Sequence, residues 1–183
     1  MLLSNKDIRE YMGKGKIKIK PFTPDQLGPA SVDLTLGRKF WFFKQKYVGN
    51  QVDLSKVDFK EANRPMTADT VVLAPHDMCL GITKEKITLA PDVMGRLEGR
   101  SRYARMGLTV HITSALVQAG SDNHQVLEIV NNAPFTMVLH SGMRISQVVF
   151  YQLRSPTSKP YAKFGKIARR RLWDKNSRTT FSE

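Results

Sequence analysis

The chain has 183 residues, 41% hydrophobic and 25% charged, with a formal net charge of +13. That length suits one domain with a real core, and no apolar run approaches the roughly 20 residues that span a bilayer. The first residues, Met1 to Asp7, carry no apolar secretory core, and the single cysteine, Cys79, cannot close an internal disulfide, so a cytoplasmic setting is expected.

Ser4 can cap a short helix in which Ile8, Tyr11 and Met12 recur at helical spacing, ending at Gly13 or Gly15. Lys16-Ile17-Lys18-Ile19-Lys20 alternates and reads as a strand stopped by Pro21. Short strands are then expected at 31–36, 39–43, 70–73, 78–83, 86–89, 93–98, 108–112, 125–130, 136–139 and 147–153. Glycine, proline and asparagine punctuate most of the gaps, and no internal repeat is visible. This pattern predicts a mainly β fold, a sandwich, jelly roll or distorted barrel. Residues 1–161 form the expected domain. After Tyr161 the periodicity is lost, and 162–183 reads as a basic tail or lid.

Charge does not decide the partner. Residues 159–183 hold eight Lys/Arg against two acids, about half of the excess, and the rest is spread along the chain. A solvated tail and an anionic small-molecule ligand account for this, so nucleic acid and membrane are not expected as partners.

Two segments carry chemistry. Gly99-Arg100-Ser101-Arg102-Tyr103-Ala104-Arg105-Met106-Gly107-Leu108 sets three guanidinium forks and a hydroxyl between two glycines, which suits a polyphosphate. An ordinary arginine-bearing surface segment reads the same way. In Gln125–Val130 the side chains alternate, placing Val126, Glu128 and Val130 on one face. A carboxylate there is costly unless it is paired or catalytic. A salt bridge with Arg105 and a general base tuned by its surroundings are both open. No Cys-x-x-Cys or His-x-x-x-His pair exists, and the lone Cys79 cannot complete a His-x-Glu and Pro-Cys-x-x-Cys zinc deaminase site, so no protein-bound metal is expected.

Several elements in fixed order resemble the dCTP deaminase branch of the dUTPase superfamily. They are Leu3-Ser4-Asn5-Lys6-Asp7-Ile8, Ala30-Ser31-Val32-Asp33-Leu34-Thr35-Leu36-Gly37, Gly99-Arg100-Ser101, Arg105-Met106-Gly107-Leu108, Val110-His111-Ile112-Thr113, Val126-Leu127-Glu128, Asn131, Gly142-Met143 and Pro160-Tyr161. The resemblance implies a dUTPase-like distorted barrel with a short N-terminal helix. It implies zinc-independent deamination of dCTP, with Glu128 as general base on a water held by Ser101 and a carbonyl near Ser114, and Arg105 orienting Glu128. Arg100 and its neighbour Arg102 would meet the triphosphate, which carries Mg2+. His111, Thr113, Ser114, Gln118, Gln147, Tyr161 and Lys163 complete the implied substrate-binding set. Active sites between the subunits of a homotrimer are also implied.

The chain departs from that pattern. Gln118 stands where the family has an aspartate that activates water for triphosphate hydrolysis, and an amide cannot take a proton. Ser121 replaces an aromatic residue, Arg102 a serine, and no glutamine follows Lys163-Phe164. The expected reaction is therefore dCTP to dUTP and ammonia. A dUTP diphosphatase or bifunctional enzyme and a non-catalytic nucleotide-binding regulator are the alternatives.

Overall fold

Ser4 caps the first helix, α1 (Asn5–Gly13): its side chain accepts from the Asp7 N–H at 3.3 Å while Asp7 takes the Ser4 N–H at 2.8 Å. The computed structural model describes residues 1–164. The strands that follow are β1 (Ile17–Lys20), β2 (Val32–Phe43), β3 (Asn63–Thr67), β4 (Thr70–Leu73), β5 (Met78–Leu89), β6 (Val93–Gly99), β7 (Leu108–Val110), β8 (Leu116–Val117), β9 (Asp122–Asn131), β10 (Met137–His140) and β11 (Arg144–Gln152). One-turn helices α2 (Phe59–Ala62) and α3 (Ser101–Ala104) interrupt them, and α4 (Tyr161–Phe164) follows.

The fold is mainly β, as expected. Nine strands make one sheet in the order β7-β9-β5-β2-β11-β6-β8, with β1 added to β5 and β3 to β2; β10 and β4 pair separately. The named pairings are all antiparallel. Period-2 alternation drives burial. Val32, Leu34, Leu36 and Phe40 of β2 meet Leu127 and Ile129 of β9 and Ile145, Val148 and Phe150 of β11 in the core. Cys79 is buried there, and desolvation pushes its thiol up to about 12. No described helix is long and apolar enough to cross a membrane.

Two expected breaks are not breaks. Residues 31–36 and 39–43 belong to one strand, β2, and 78–83 and 86–89 to another, β5. The pairing shifts register between Leu36 and Phe40, and again between Ile82 and Lys86. Gly37 therefore marks a close approach within a strand: a Cβ there would lie 2.8 Å from the Ile82 carbonyl oxygen. The sequence pattern also misses β3, β8 and α3. Pro65 hides β3, which pairs only with β2, where a missing N–H costs nothing. The expected tail or lid lies, from residue 165 on, outside the described residues.

Gly107 closes the turn from α3 into β7 at φ +86°, where a Cβ would stand 2.9 Å from the Ala133 nitrogen. Gly107→Ala should destabilise the fold by about 1–3 kcal/mol, read as a lower urea midpoint with an unchanged slope.

Candidate active site

Glu128 is placed by the pairing of β9 with β7. The register runs Leu108–Asn131, Thr109–Val130, Val110–Ile129, and β7 then ends. Glu128 is thus the first residue of β9 past that ladder, and the chain leaving β7 folds over it. The Glu128 N–H donates to His111 Nδ1 at 3.1 Å. Its carboxylate Oε2 accepts the N–H of Ile112 at 3.0 Å and of Thr113 at 2.7 Å. The Thr113 hydroxyl lies 3.3 Å from Oε1 and 3.4 Å from Oε2. Charge-assisted bonds of this kind are worth about 1.5–3 kcal/mol each. They hold the carboxylate on the half-buried face of β9, 18% exposed, while Gln125, Leu127 and Ile129 face the core.

His111 is 3% exposed. Because Nδ1 accepts, the proton of the neutral ring sits on Nε2. That nitrogen is buried, has no hydrogen-bond partner among the described residues, and stands 3.8 Å from Glu128 Oε1. Oε2 is tied to two backbone N–H groups, and Oε1 has only the Thr113 hydroxyl within hydrogen-bond distance among the described residues.

Gly99 connects this centre to the arginines. A Cβ at 99 would lie 2.5 Å from the Val110 carbonyl oxygen, so β6 can pass directly beside the β7 end only without a side chain there. Arg100 is the N-cap position of α3, and Ser101 opens that turn, exposed. Arg100 Nη1 donates to the Arg144 carbonyl at 2.9 Å and Nη2 pairs with Asp33 at 3.0 Å. Gln147 braces the same segment: its amide nitrogen donates to the Gly99 carbonyl at 3.0 Å, and its oxygen accepts from the Ser31 hydroxyl at 2.7 Å. Asp33, Ser31 and Arg144 had no role in the sequence reading, although Ala30–Gly37 was among its motifs.

The expected pairing of Arg105 with Glu128 is not made within the protomer. Arg105 caps α3, is exposed, and has no side-chain partner among the described residues. Arg102 lies over the Tyr103 ring, 5.8 Å from its centre. Ser114 is exposed, and the next carbonyl, of Ala115, is taken by the Leu97 N–H at 2.8 Å. Gln118, Tyr161 and Lys163 form a second group. Val117 pairs with Gly95, which sets Gln118 about 15 Å along β6 from Gly99. The Gln118 carbonyl accepts the Ser121 hydroxyl at 2.6 Å, so buried Ser121 closes a turn where an aromatic was expected. Tyr161 and Ala162 donate to the carbonyls of Ala119 and Gly120 at 2.9 and 3.0 Å. Gly120, at φ +75°, admits Pro160 against its backbone. Tyr161 is half-buried, which raises its phenol and keeps it neutral. Lys163 is exposed.

A family model described as dCTP deaminase-like matches residues 2–153. The chain belongs to the dCTP deaminase-like family. It is 36% identical over 162 residues to a protein of Kocuria rhizophila named "dCTP deaminase, dUMP-forming", covering 88% of this chain and 84% of that one. It is 40% identical over 172 residues to the "dCTP deaminase" of Rhodospirillum rubrum, covering 88% of each. In fold it is similar to the 2'-deoxycytidine 5'-triphosphate deaminase of Agrobacterium tumefaciens, with a TM-score of 0.61 at 22% identity. That match covers 81% of this chain, which spans about half (47%) of the Agrobacterium chain. The family segment thus contains both the Glu128 centre and the Arg100 clamp.

Burial raises the Asp33 carboxyl above its usual value, against the pull of Arg100 and Arg144. A raised carboxyl binds more protons folded than unfolded, so this contribution to stability is lost as pH rises through the raised pKa. Asp33→Asn removes that component. The urea-midpoint difference, wild type minus Asp33→Asn, should therefore fall as pH rises from about 4 to 7.

Proposed function

We propose that this protein deaminates dCTP at C4 of the cytosine, with Glu128 as general base. The observation that carries the reading is the Glu128 carboxylate fastened through Oε2 to the N–H groups of Ile112 and Thr113, with Oε1 outside those two bonds, 3.8 Å from His111 Nε2. Oε1 takes a proton from a water held by the Ser101 hydroxyl and the Thr113 or Ser114 carbonyl. Among the described residues no donor takes those two carbonyls. The water oxygen bonds to C4. Glu128 passes one proton to the ring nitrogen N3 and a second to the exocyclic amine, and the C4–N bond breaks to release ammonia. Atoms balance as dCTP plus water to a deaminated nucleotide plus ammonia. In this reading the carboxylate does the work that zinc does for other nucleobase deaminases.

The substrate is proposed to enter as its magnesium complex, with Arg100 and Arg102 on the phosphates and Gln147 holding the Gly99 turn. His111 holds the Glu128 backbone, and Thr113 the carboxylate. Tyr161, Lys163 and Gln118 would bound the sugar end. The product follows from Gln118: an amide cannot activate a second water, so the reaction stops at dUTP. A second reading, cleavage on to dUMP, is favoured by the names of several relatives, including those from Kocuria rhizophila and Thermobifida fusca.

Assembly as a homotrimer with sites between subunits belongs to the same proposal. Arg105 is exposed and unpartnered beside a groove of about 520 Å³, lined by Arg102, Tyr103, Met106, Phe135, Val138 and their neighbours. Met106, Phe135 and Val138 are all exposed there, an apolar patch that calls for a covering surface. A neighbouring copy would cover it and bring Arg105 to the partner's Glu128.

Incubation with dCTP and magnesium should release ammonia without pyrophosphate. Pyrophosphate in equal amount would establish the dUMP-forming reading, and neither product, with nucleotide bound, a regulator. Glu128→Gln should lower ammonia release by about 10²–10⁴-fold while dCTP binding persists; surviving turnover would remove Glu128 from the mechanism. Sedimentation should give a trimer that Val138→Glu dissociates with loss of activity, and an active monomer would refute the shared site.

A further inference from the structure

The outer face of β1 and β5 is built of lysines. In β1, Ile17 and Ile19 are buried, and Lys18 and Lys20 point out. In β5, Glu85 and Ile87 are buried, and Lys84 and Lys86 point out. The register joins them: Lys20 stands directly opposite Lys86, and Lys18 opposite Thr88. Residues opposite one another in a ladder share a face. Two segments more than 60 positions apart thus form a single basic surface. Asp122 of β9 borders it, taking Lys86 Nζ at 2.9 Å and the Thr88 hydroxyl at 2.6 Å. Lys18, Lys20 and Lys84 have no acidic partner among the described residues.

Like charges directly opposite in a sheet are destabilising; Asp122 offsets part of this at Lys86, and no acid pairs with Lys20 among the described residues. Lysines do blunt the open edge of a sheet, and that accounts for Lys18 and Lys20 on β1. It does not account for Lys86, which β1 flanks on one side and β9 on the other, whereas Lys84 lies in the bulge just before these ladders. None of the large exposed hydrophobic side chains lies on β1, on β5 or at the start of β9. The face therefore lacks the aromatic anchors of a protein interface and the apolar wedge of a membrane-inserting surface. What it offers is ammonium groups repeated about 4.8 Å apart across the strands and about 6.8 Å apart along them.

We infer that this face docks on the phosphodiester backbone of nucleic acid, without reading its sequence. Charge spread along the chain gave no reason to expect such a partner; the register concentrates it. Lys86 stands opposite His124, about 13 Å along β9 from Glu128 and on the same side of the sheet. The binding is electrostatic, with each lysine that meets a phosphate adding about 0.9 to the slope of log affinity against log salt.

The test uses the full chain and a random-sequence DNA duplex of about 30 base pairs, titrated between about 50 and 200 mM salt by fluorescence anisotropy. Replacing Lys18, Lys20, Lys84 and Lys86 by glutamine should weaken binding at low salt by at least about tenfold and flatten the salt slope by about 3. The four Lys→Arg changes should restore both. Thermal unfolding and dCTP turnover should stay as in the wild type. An unchanged slope overturns the inference, as does a loss of binding on replacing Arg169, Arg170 and Arg171 by glutamine but not on replacing the four lysines. So does binding to vesicles of anionic phospholipid but not to the duplex. A rise in KM for dCTP that matches the loss of DNA affinity would assign the lysines to the nucleotide site and overturn it too.

Discussion

Glu128 stays in the sheet, paired with Leu80 of β5, but stands one residue past the end of β7 on its other side, and the site depends on that offset. Were β7 one pair longer, the Glu128 N–H would bond to a strand carbonyl, and Ile112 and Thr113 would point their N–H groups into the ladder. Because the pairing stops at Val110–Ile129, the chain turns across β9 and offers two backbone donors to one carboxylate oxygen. A single register decides which donors the carboxylate has, which of its oxygens the backbone holds, and which ring nitrogen of His111 accepts the Glu128 N–H. A carboxylate in an apolar strand is costly in isolation. Here its partners are main-chain groups, which cannot swing away as a side chain can.

The second constraint is the clamp on Gly99 and Arg100. Gln147, Asp33 and the Arg144 carbonyl hold that segment from β2 and β11, and Gly99 lets it run against the Val110 carbonyl. Arg100 is thereby held in one orientation by Asp33 and the Arg144 carbonyl. Arg144 is itself engaged, its guanidinium on Asp25 at 2.6 Å. By contrast Arg105 is exposed, and so are Met106, Phe135 and Val138 in the groove beside it.

Much of this was legible in the sequence. The alternation around Glu128 predicted its face, and the structure puts Val126, Glu128 and Val130 on the half-buried side with Leu127 and Ile129 in the core. The Ser4 cap and the end of α1 at Gly13 follow from local rules alone. Where the reading failed, a local signal had two meanings. Gly37 was read as a turn and is a close contact inside β2. Lys84-Glu85 was read as a gap and is a bulge that buries Glu85, held by Gln26 and the Thr35 N–H. A salt bridge of Arg105 with Glu128 is one of two readings the sequence leaves open, and within the protomer the main chain takes that place.

The sequence by itself determined the β-rich class, the family, the face on which Glu128 stands and the set of side chains available for chemistry, because those depend on residue type, period and order. The tertiary structure alone decided which groups meet: Asp33 with Arg100, His111 with the Glu128 backbone, Ser121 with its own turn, and Lys20 with Lys86. Each of these meetings is set by strand register or turn geometry, mostly between segments far apart in the chain. Composition and local periodicity carry no record of register, because shifting a pairing changes no residue and yet moves every partner.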